Sequence, residues 1–270
     1  QTHVPGIYAV GEADYQYHGA NRLGANSLLS CIFSGLIVAP SIAAYMGGRK
    51  GAKDAPSTLF DGAVGVHKQQ YEKLIRNDGT ENPYKIHMEL GDTMTRNVTV
   101  VRYNKAISET LGKIDDLTQR YQRVGLSDKS NWTNQNLSFT RALGDMLLLA
   151  KVIAQGALQR DECRGAHYKP DFEIPGPKAE NPADLRREAE TWCDAFQKQL
   201  DKWLKTTVAT YDGKGGFKID YEAVDTSMIP PRPRTYGLKG AEIIEEVWKE
   251  RIAKGKRGPG AERREAVGIT

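Results

Sequence analysis

The feature that most limits how this chain can fold is an uncharged, apolar run near its start, Leu28 to Met46. Its length approaches the roughly 20 residues that a transmembrane helix needs. Pro40 interrupts the run, serines recur at Ser30, Ser34 and Ser41, and no aromatic belt flanks it. We therefore expect a buried helix that packs against a sheet rather than a membrane span.

Composition excludes several other classes of protein. The 270 residues are 39% hydrophobic and 27% charged, which is typical of a soluble chain of one large or two modest domains. The net charge of +4 is spread along the sequence, so no nucleic-acid partner is expected. Cys31, Cys163 and Cys193 are odd in number and have no CxxC spacing. They indicate a reducing compartment, no metal site and buried structural thiols.

The first residues read as the closing part of a domain that begins upstream. The chain opens without methionine or a signal-peptide pattern. Ile7 to Val10 is a short apolar run of strand formers between glycines, which predicts a buried strand. After a loop, Asn26 or Ser27 can cap the apolar helix. We expect an N-terminal portion to lie elsewhere.

Helical periodicity dominates the remainder. Apolar residues recur every three or four residues in the segments 55–76, 103–121 and 136–160. This spacing predicts a small helical bundle over about 55–160. Another amphipathic helix is predicted at 185–204 and a short one at 243–252. Two strand-like runs, 206–211 and 217–221, flank an Asp-Gly-Lys-Gly-Gly turn and predict a β-hairpin. The predicted fold class is α+β, or mixed.

Three features ahead of the apolar helix could bind a ligand. Glu12 follows a predicted strand, where a carboxylate can accept hydrogen bonds from sugar hydroxyls or can serve only as a loop cap. Arg22 lies between Gly19 and Gly24, and its charged guanidinium has paired N–H donors that match the two oxygens of a carboxylate. Most arginines, however, form surface ion pairs. The helix start at Asn26, Ser27 and Leu28 offers free backbone N–H groups or is an ordinary cap.

Two long motifs resemble a known family. The stretch VPGIYAVGEADYQYHGANRLGANSLL (residues 4–29) is similar to the succinate dehydrogenase and fumarate reductase flavoprotein subunits, with the Bacillus-type quinone reductase version closest. The block RGAHYKPDF (residues 164–172) resembles the element that follows the helical domain in that family, and PPRPRTY near the C-terminus is similar to the family's tail. No GxGxxG dinucleotide fingerprint is present, so the resemblance is to the C-terminal half of such a subunit.

The resemblance implies a fold and an activity. It implies the closing strand and helix of an FAD-binding α/β domain (1–50), a helical bundle domain (51–165) and an irregular C-terminal extension with the hairpin (166–270). It implies oxidation of succinate to fumarate by hydride transfer to FAD, with electrons passed to an iron–sulfur subunit. It also implies a peripheral location on the cytoplasmic face of the cell membrane, held there by partner and membrane-anchor subunits.

The resemblance also assigns the candidate residues. Arg22 matches the arginine that clamps a carboxylate of the dicarboxylate substrate, and Glu12 matches the glutamate that holds hydroxyls of the flavin. Asn26, Ser27 and Leu28 match the helix start that contacts the flavin. The family's flavin-attaching histidine, catalytic arginine and substrate histidine lie before Gln1, so no catalytic residue is assigned here. The alternatives are an L-aspartate oxidase-like flavoenzyme and a non-catalytic docking module for an iron–sulfur partner.

Overall fold

The computed structural model describes residues 1–14, 16–49, 51, 55–226 and 230–254. Within them lie seven α-helices and one two-stranded antiparallel sheet. In chain order these are α1 (Asn26–Met46), α2 (Ser57–Arg76), α3 (Pro83–Met94), α4 (Asn104–Tyr121), α5 (Gln135–Gln159), α6 (Pro182–Trp203), β1 (Lys205–Tyr211), β2 (Phe217–Ala223) and α7 (Ala241–Ala253). The mixed, mainly helical fold class is confirmed.

The described residues form two compact units. One unit comprises residues 1–93, 113–147 and 164–167, and the other comprises residues 94–112, 148–163 and those from 168 onward. Helices α4 and α5 contribute residues to both. The domain boundaries expected near residues 50 and 165 stay predictions.

The strand predicted at Ile7 to Val10 is wrong. Val10 has an extended backbone, with φ −141° and ψ 157°, but no residue of this run pairs in a sheet. A strand needs a neighbour to satisfy its N–H and C=O groups, and in the described part of the chain the one sheet is formed by β1 and β2. Ile7 is accordingly 56% exposed.

The expectation that α1 is buried is also wrong within this chain. Its buried residues are Ser30 and Ser34, while its large apolar side chains are exposed: Leu28, Leu29, Ile32, Phe33, Leu36, Ile37, Ile42 and Met46. By length and composition α1 could cross a membrane, because its mean hydropathy reaches 1.9. The core helix of a larger domain meets the same criteria. The described residues place no sheet beneath α1, which is why its apolar surface stays open.

Two helices of the predicted bundle, at 103–121 and 136–160, are confirmed and form an antiparallel pair. α4 and α5 match the predicted segments, and the buried residues of the α4 seam include Ile107, Ile114 and Leu117. At one end of the pair, the Tyr121 hydroxyl donates to the carbonyl oxygen of Thr140 at 3.0 Å. At the other end, Asn104 Nδ2 donates to Asp161 Oδ1 at 3.1 Å. These two contacts establish an antiparallel arrangement.

Periodicity did not predict α3, which lies between the helices predicted at 55–76 and 103–121. α3 ends in a π-helical turn, Thr95–Thr99, and contributes Ile86 and Leu90 to the buried core. An ion-pair cluster links α3 to α4. Arg120 binds both carboxylate oxygens of Glu89, at 2.8 and 2.9 Å, and Lys113 Nζ donates to the same carboxylate at 2.7 Å. Hydrogen bonds from Arg120 and then Lys113 lower the pKa of Glu89 to about 2.

The second unit has an aromatic core between α6 and α7. Phe196 stacks on Trp192 with ring centroids 5.3 Å apart and meets Trp248 edge-on at 5.0 Å. α6 begins where the Asn181 side chain accepts a hydrogen bond from the Asp184 N–H, with Pro182 in the first turn. The predicted hairpin is confirmed, with Val208 opposite Asp220 in register.

The three cysteines differ from the expectation of buried thiols. Cys193 is buried, and burial raises its pKa to about 11. Cys163 is half-buried, and Cys31 on α1 is exposed. The expectation is therefore correct for Cys193 and wrong for Cys31, which lies on the helix that the described residues leave open.

Candidate functional site

A cavity of about 340 Å³ lies in the first unit, between the start of the chain and the start of α1. Its lining residues come from one short stretch: Glu12, His18, Gly19, Ala20, Asn21, Arg22, Ser27 and Ser30. Three residues predicted to bind ligands, Glu12, Arg22 and Ser27, therefore lie around one space. Of the other two, Asn26 is half-buried at the helix start, and Leu28 is 75% exposed. Neither of these lines the cavity.

Arg22 lies on the loop that joins a 3-10 turn, Gln16–His18, to α1. Gly19 begins this loop with φ +66°, a left-handed conformation that glycine adopts at little cost. Arg22 is exposed and has neither an ion pair nor a hydrogen bond with another side chain in the ranges that the structure describes. Its guanidinium is a cation at the wall of an open cavity, and no carboxylate among the described residues pairs with it.

Glu12 lies on another 3-10 turn, Gly11–Ala13, which packs against α1. A Cβ atom at Gly11 would lie 3.2 Å from the Cys31 sulfur, so the turn and the helix touch. The Tyr17 hydroxyl donates to the carbonyl oxygen of Gly11 at 3.0 Å and lies 3.3 Å from the Ser34 hydroxyl. Sequence reasoning missed this role of Tyr17, because a single tyrosine in a loop carries no periodic signal.

The start of α1 differs from the predicted cap. The residue before the helix is Ala25, with φ 64°, and no side chain caps the first turn. The expectation that Asn26 or Ser27 caps the helix is therefore wrong, because both residues already belong to it. The first N–H groups of a helix have no partner inside the helix and carry partial positive charge. An uncapped start beside the cavity can donate these N–H groups to a ligand oxygen or ring nitrogen.

The second family-like motif meets the first in space. The segment Arg164–His167 forms a closed turn, in which the Arg164 N–H donates to the His167 oxygen at 2.8 Å and the His167 N–H donates back at 2.9 Å. The Ala166 N–H points to the carbonyl oxygen of Ala20 at 3.5 Å. The turn therefore lies against the loop that carries Arg22, and no spacing in the sequence predicts that contact.

Two residues beyond this turn, the second unit contains a buried lysine. The Lys169 side chain is 1% exposed and donates to Asp161 Oδ1 and to the carbonyl oxygen of Leu158, both at 3.0 Å. Desolvation lowers the pKa of Lys169, and the Asp161 carboxylate opposes that shift. Because both of these contacts are internal to the protein, we interpret Lys169 as a structural anchor for residues 161–169.

Comparison with known proteins gives a consistent result. Residues 87–236 match the family model described as fumarate reductase flavoprotein C-term. The chain is 41% identical over 240 residues to the succinate dehydrogenase flavoprotein subunit of Bacillus subtilis, covering 88% of this chain and 37% of that protein. It is 33% identical over 262 residues to the fumarate reductase flavoprotein subunit of Escherichia coli, covering 94% and 39%.

A solved structure agrees with these sequence matches. A mutant of Escherichia coli quinol fumarate reductase superposes with a TM-score of 0.69 and 28% sequence identity, over 87% of this chain and 36% of that one. The chain thus spans little more than a third of the length of the relatives that it matches. The resemblance found in the two sequence motifs is confirmed.

Proposed function

Because the chain belongs to the fumarate reductase flavoprotein C-terminal family, we propose that it forms part of the flavoprotein subunit of a succinate:quinone oxidoreductase. The subunit would oxidise succinate to fumarate and pass the electrons to an iron–sulfur partner. Within it, this chain supplies one carboxylate-binding side chain and one wall of the flavin site. The observation that carries the proposal is the cavity that joins Arg22, Glu12 and the uncapped start of α1.

Arg22 is suited to bind the substrate. A guanidinium donates two parallel hydrogen bonds to a carboxylate and stays charged at any physiological pH. With no other side chain bound to it in the described chain, the group does not have to break an internal ion pair before it binds a dicarboxylate. Its role is to bind and orient one carboxylate of succinate.

The remaining cavity residues fit one side of a flavin. The Glu12 carboxylate can accept hydrogen bonds from the ribityl or ribose hydroxyls of FAD. The backbone N–H groups near Ser27 and Leu28 can donate to the flavin's oxygen and nitrogen atoms, because no side chain caps this turn. When bound, FAD supplies the hydride acceptor for the reaction. The residues that would attach the flavin and shuttle protons belong to the N-terminal half of the subunit.

The exposed surface of α1 supports the same proposal. Leu28, Ile32 and Phe33 are 59% to 75% exposed, which is unusual for a cluster of large apolar side chains. We propose that the N-terminal half of the subunit covers them, so α1 is a core helix of the complete FAD domain. The subunit then reaches the cytoplasmic face of the membrane only through its iron–sulfur and anchor partners. The name of the Escherichia coli relative, a quinol fumarate reductase, supports a complex that exchanges electrons with a quinol.

The test is Arg22→Lys in the complete, flavin-loaded subunit. Losing a hydrogen bond to a charged group costs about 1.5–3 kcal/mol. Each 1.36 kcal/mol is a factor of about ten, so turnover of succinate should fall roughly tenfold or more. Flavin content should stay at the wild-type level, because Arg22 does not hold the cofactor. Initial rates with succinate and with L-aspartate, together with flavin absorbance, measure both properties and separate this activity from that of an L-aspartate oxidase.

Arg49→Lys provides the matched control. Arg49 lies just after α1, and its guanidinium lies 4.0 Å from the centre of the Tyr45 ring, outside the cavity. This variant should keep wild-type kinetics. If Arg22→Lys also keeps wild-type kinetics, or loses flavin instead of turnover, Arg22 does not bind the substrate.

A further inference from the structure

The turn Arg164–His167 contains a glycine in a conformation that other residues avoid. Gly165 has φ +58°, in the left-handed region. Two reciprocal backbone hydrogen bonds between Arg164 and His167 close the turn around it. A non-glycine residue at this φ is uncommon, and a Cβ atom there is strained. Conformation alone therefore favours glycine at this position.

Packing excludes a side chain at the same position more strongly. A Cβ atom on Gly165 would lie 2.4 Å from the carbonyl oxygen of Ala20, 2.6 Å from its carbonyl carbon and 2.9 Å from the Cβ of Asn21. These distances are well inside van der Waals contact, and the contacted atoms belong to the backbone or lie next to it. The obstacle cannot swing away as the end of a long side chain would, so any added atom must shift the turn and the loop relative to each other.

The loop that would move carries the proposed substrate-binding residue. Ala20 and Asn21 immediately precede Arg22 and line the same cavity. At its other glycines the loop has open space beside it, because a Cβ atom at Gly19 or at Gly24 would meet nothing within 4 Å. The Arg22 guanidinium has no bound side chain among the described residues to orient it. The position of its backbone therefore sets the region that the guanidinium can reach.

We propose that Gly165 is a positioning residue for the dicarboxylate site. Its bare Cα lets the Arg164–His167 turn lie directly against Ala20 and Asn21, and this contact sets the backbone from which Arg22 reaches the substrate carboxylate. The proposal rests on the proposed role of Arg22. It links the two family-like motifs, which are far apart in the sequence, through a backbone contact within one unit.

The experiment is a titration of the complete, flavin-loaded subunit with malonate, followed by the change in flavin absorbance. Malonate is a non-reacting dicarboxylate, so its Kd reports binding without turnover. Gly165→Ala should raise the Kd for malonate about tenfold or more while the flavin content stays normal. Gly213→Ala is the matched control, because Gly213 has φ +77° but open space around its Cα. The control carries the same kind of backbone strain without the contact and should bind malonate like the wild type.

Further variants make each outcome decisive. If Gly165 acts through Arg22, the double variant Arg22→Lys/Gly165→Ala should raise the Kd relative to the wild type by much less than the product of the two separate factors. An unchanged malonate Kd in Gly165→Ala overturns the inference. Loss of flavin or of folding in that variant, with Gly213→Ala intact, also overturns it, because the turn would then support the whole domain rather than position Arg22. If Arg22→Lys binds malonate normally, the proposed function itself fails.

Discussion

Helices α1 and α6 are almost equal in length, at 21 and 22 residues, yet they bury opposite kinds of side chain. α6 is amphipathic and places Trp192, Phe196 and Leu200 in a core that it shares with α7. α1 carries no charged residue, and the side chains that it buries are Ser30 and Ser34. The more apolar helix is thus the more exposed one.

The difference shows what an all-apolar helix requires. One apolar stripe can be covered by a single neighbour, as α7 covers α6, and polar residues then face solvent. A helix that is apolar on every side needs cover on every side. Fully burying one Leu, Ile or Phe contributes about 1.5–3 kcal/mol. Burying the exposed side chains of α1 would therefore contribute a large stabilising free energy. This fits our proposal that the N-terminal half of the subunit covers them.

Truncating the same residue type in the two helices tests this contrast and gives the largest expected effect. Phe196→Ala should destabilise the 270-residue chain by about 3–5 kcal/mol, because Phe196 is 8% exposed and packs between two tryptophans. Phe33→Ala should change its stability by no more than about 0.5 kcal/mol, because Phe33 is 59% exposed. Urea unfolding followed by circular dichroism measures both.

Repeating Phe33→Ala in the complete subunit sharpens the comparison. There we expect a loss of several kcal/mol, because the proposed cover buries the ring. Equal, small effects of Phe33→Ala in the short chain and in the complete subunit would contradict the proposed cover. A large effect in the short chain would contradict the exposure of α1 itself.

The same contrast explains which parts of the fold could be predicted from sequence. The seams of α4 and α6 repeat every three or four residues because their partners lie in this chain, so periodicity predicted them closely. The strand at Ile7 to Val10 failed because strand propensity requires a neighbouring strand, and the described residues supply none. α3 was missed because its apolar residues Tyr84, Ile86, Met88 and Leu90 alternate with polar ones instead of recurring every three or four residues.

Part of the candidate site could be predicted because its residues lie close together in the sequence. Glu12, Arg22 and Ser27 come from one short segment, so local sequence placed them near the same cavity. The contact between Gly165 and Ala20 joins distant segments, and the hydrogen bond from Tyr17 to Gly11 depends on how a loop folds back. Neither leaves a pattern in one sequence. The roles of Asn26 and Leu28 at a flavin stay predictions.

The ion-pair cluster that links α3 to α4 allows a test in which the expected effect on stability is smaller and depends on pH. The folded-state pKa of Glu89 is lowered from 4.5 to about 2. Its ion pairs therefore stabilise the fold above about pH 4.5, and this contribution is lost as the pH falls toward 2. Glu89→Gln should lower stability at pH 7 by about 1 kcal/mol, because the carboxylate is partly exposed and screened.

The pH profile of Glu89→Gln should also flatten between pH 4.5 and 2. Urea unfolding at a series of pH values measures both changes. Glu72→Gln is the control, since it removes only an exposed pair with Arg76 within α2 and should cost a few tenths of a kcal/mol. Equal losses in the two variants would show that the Glu89 cluster adds no more than an ordinary surface pair.

The most direct test of the proposed site is the distance between the Arg22 guanidinium nitrogens and the nearest malonate carboxylate oxygens, in a crystal structure of the complete flavin-loaded subunit with malonate. We expect two N–O distances of about 2.7–2.9 Å, which is the range for charge-assisted hydrogen bonds. Malonate bound by other residues, with Arg22 paired to a protein carboxylate, would contradict the assignment.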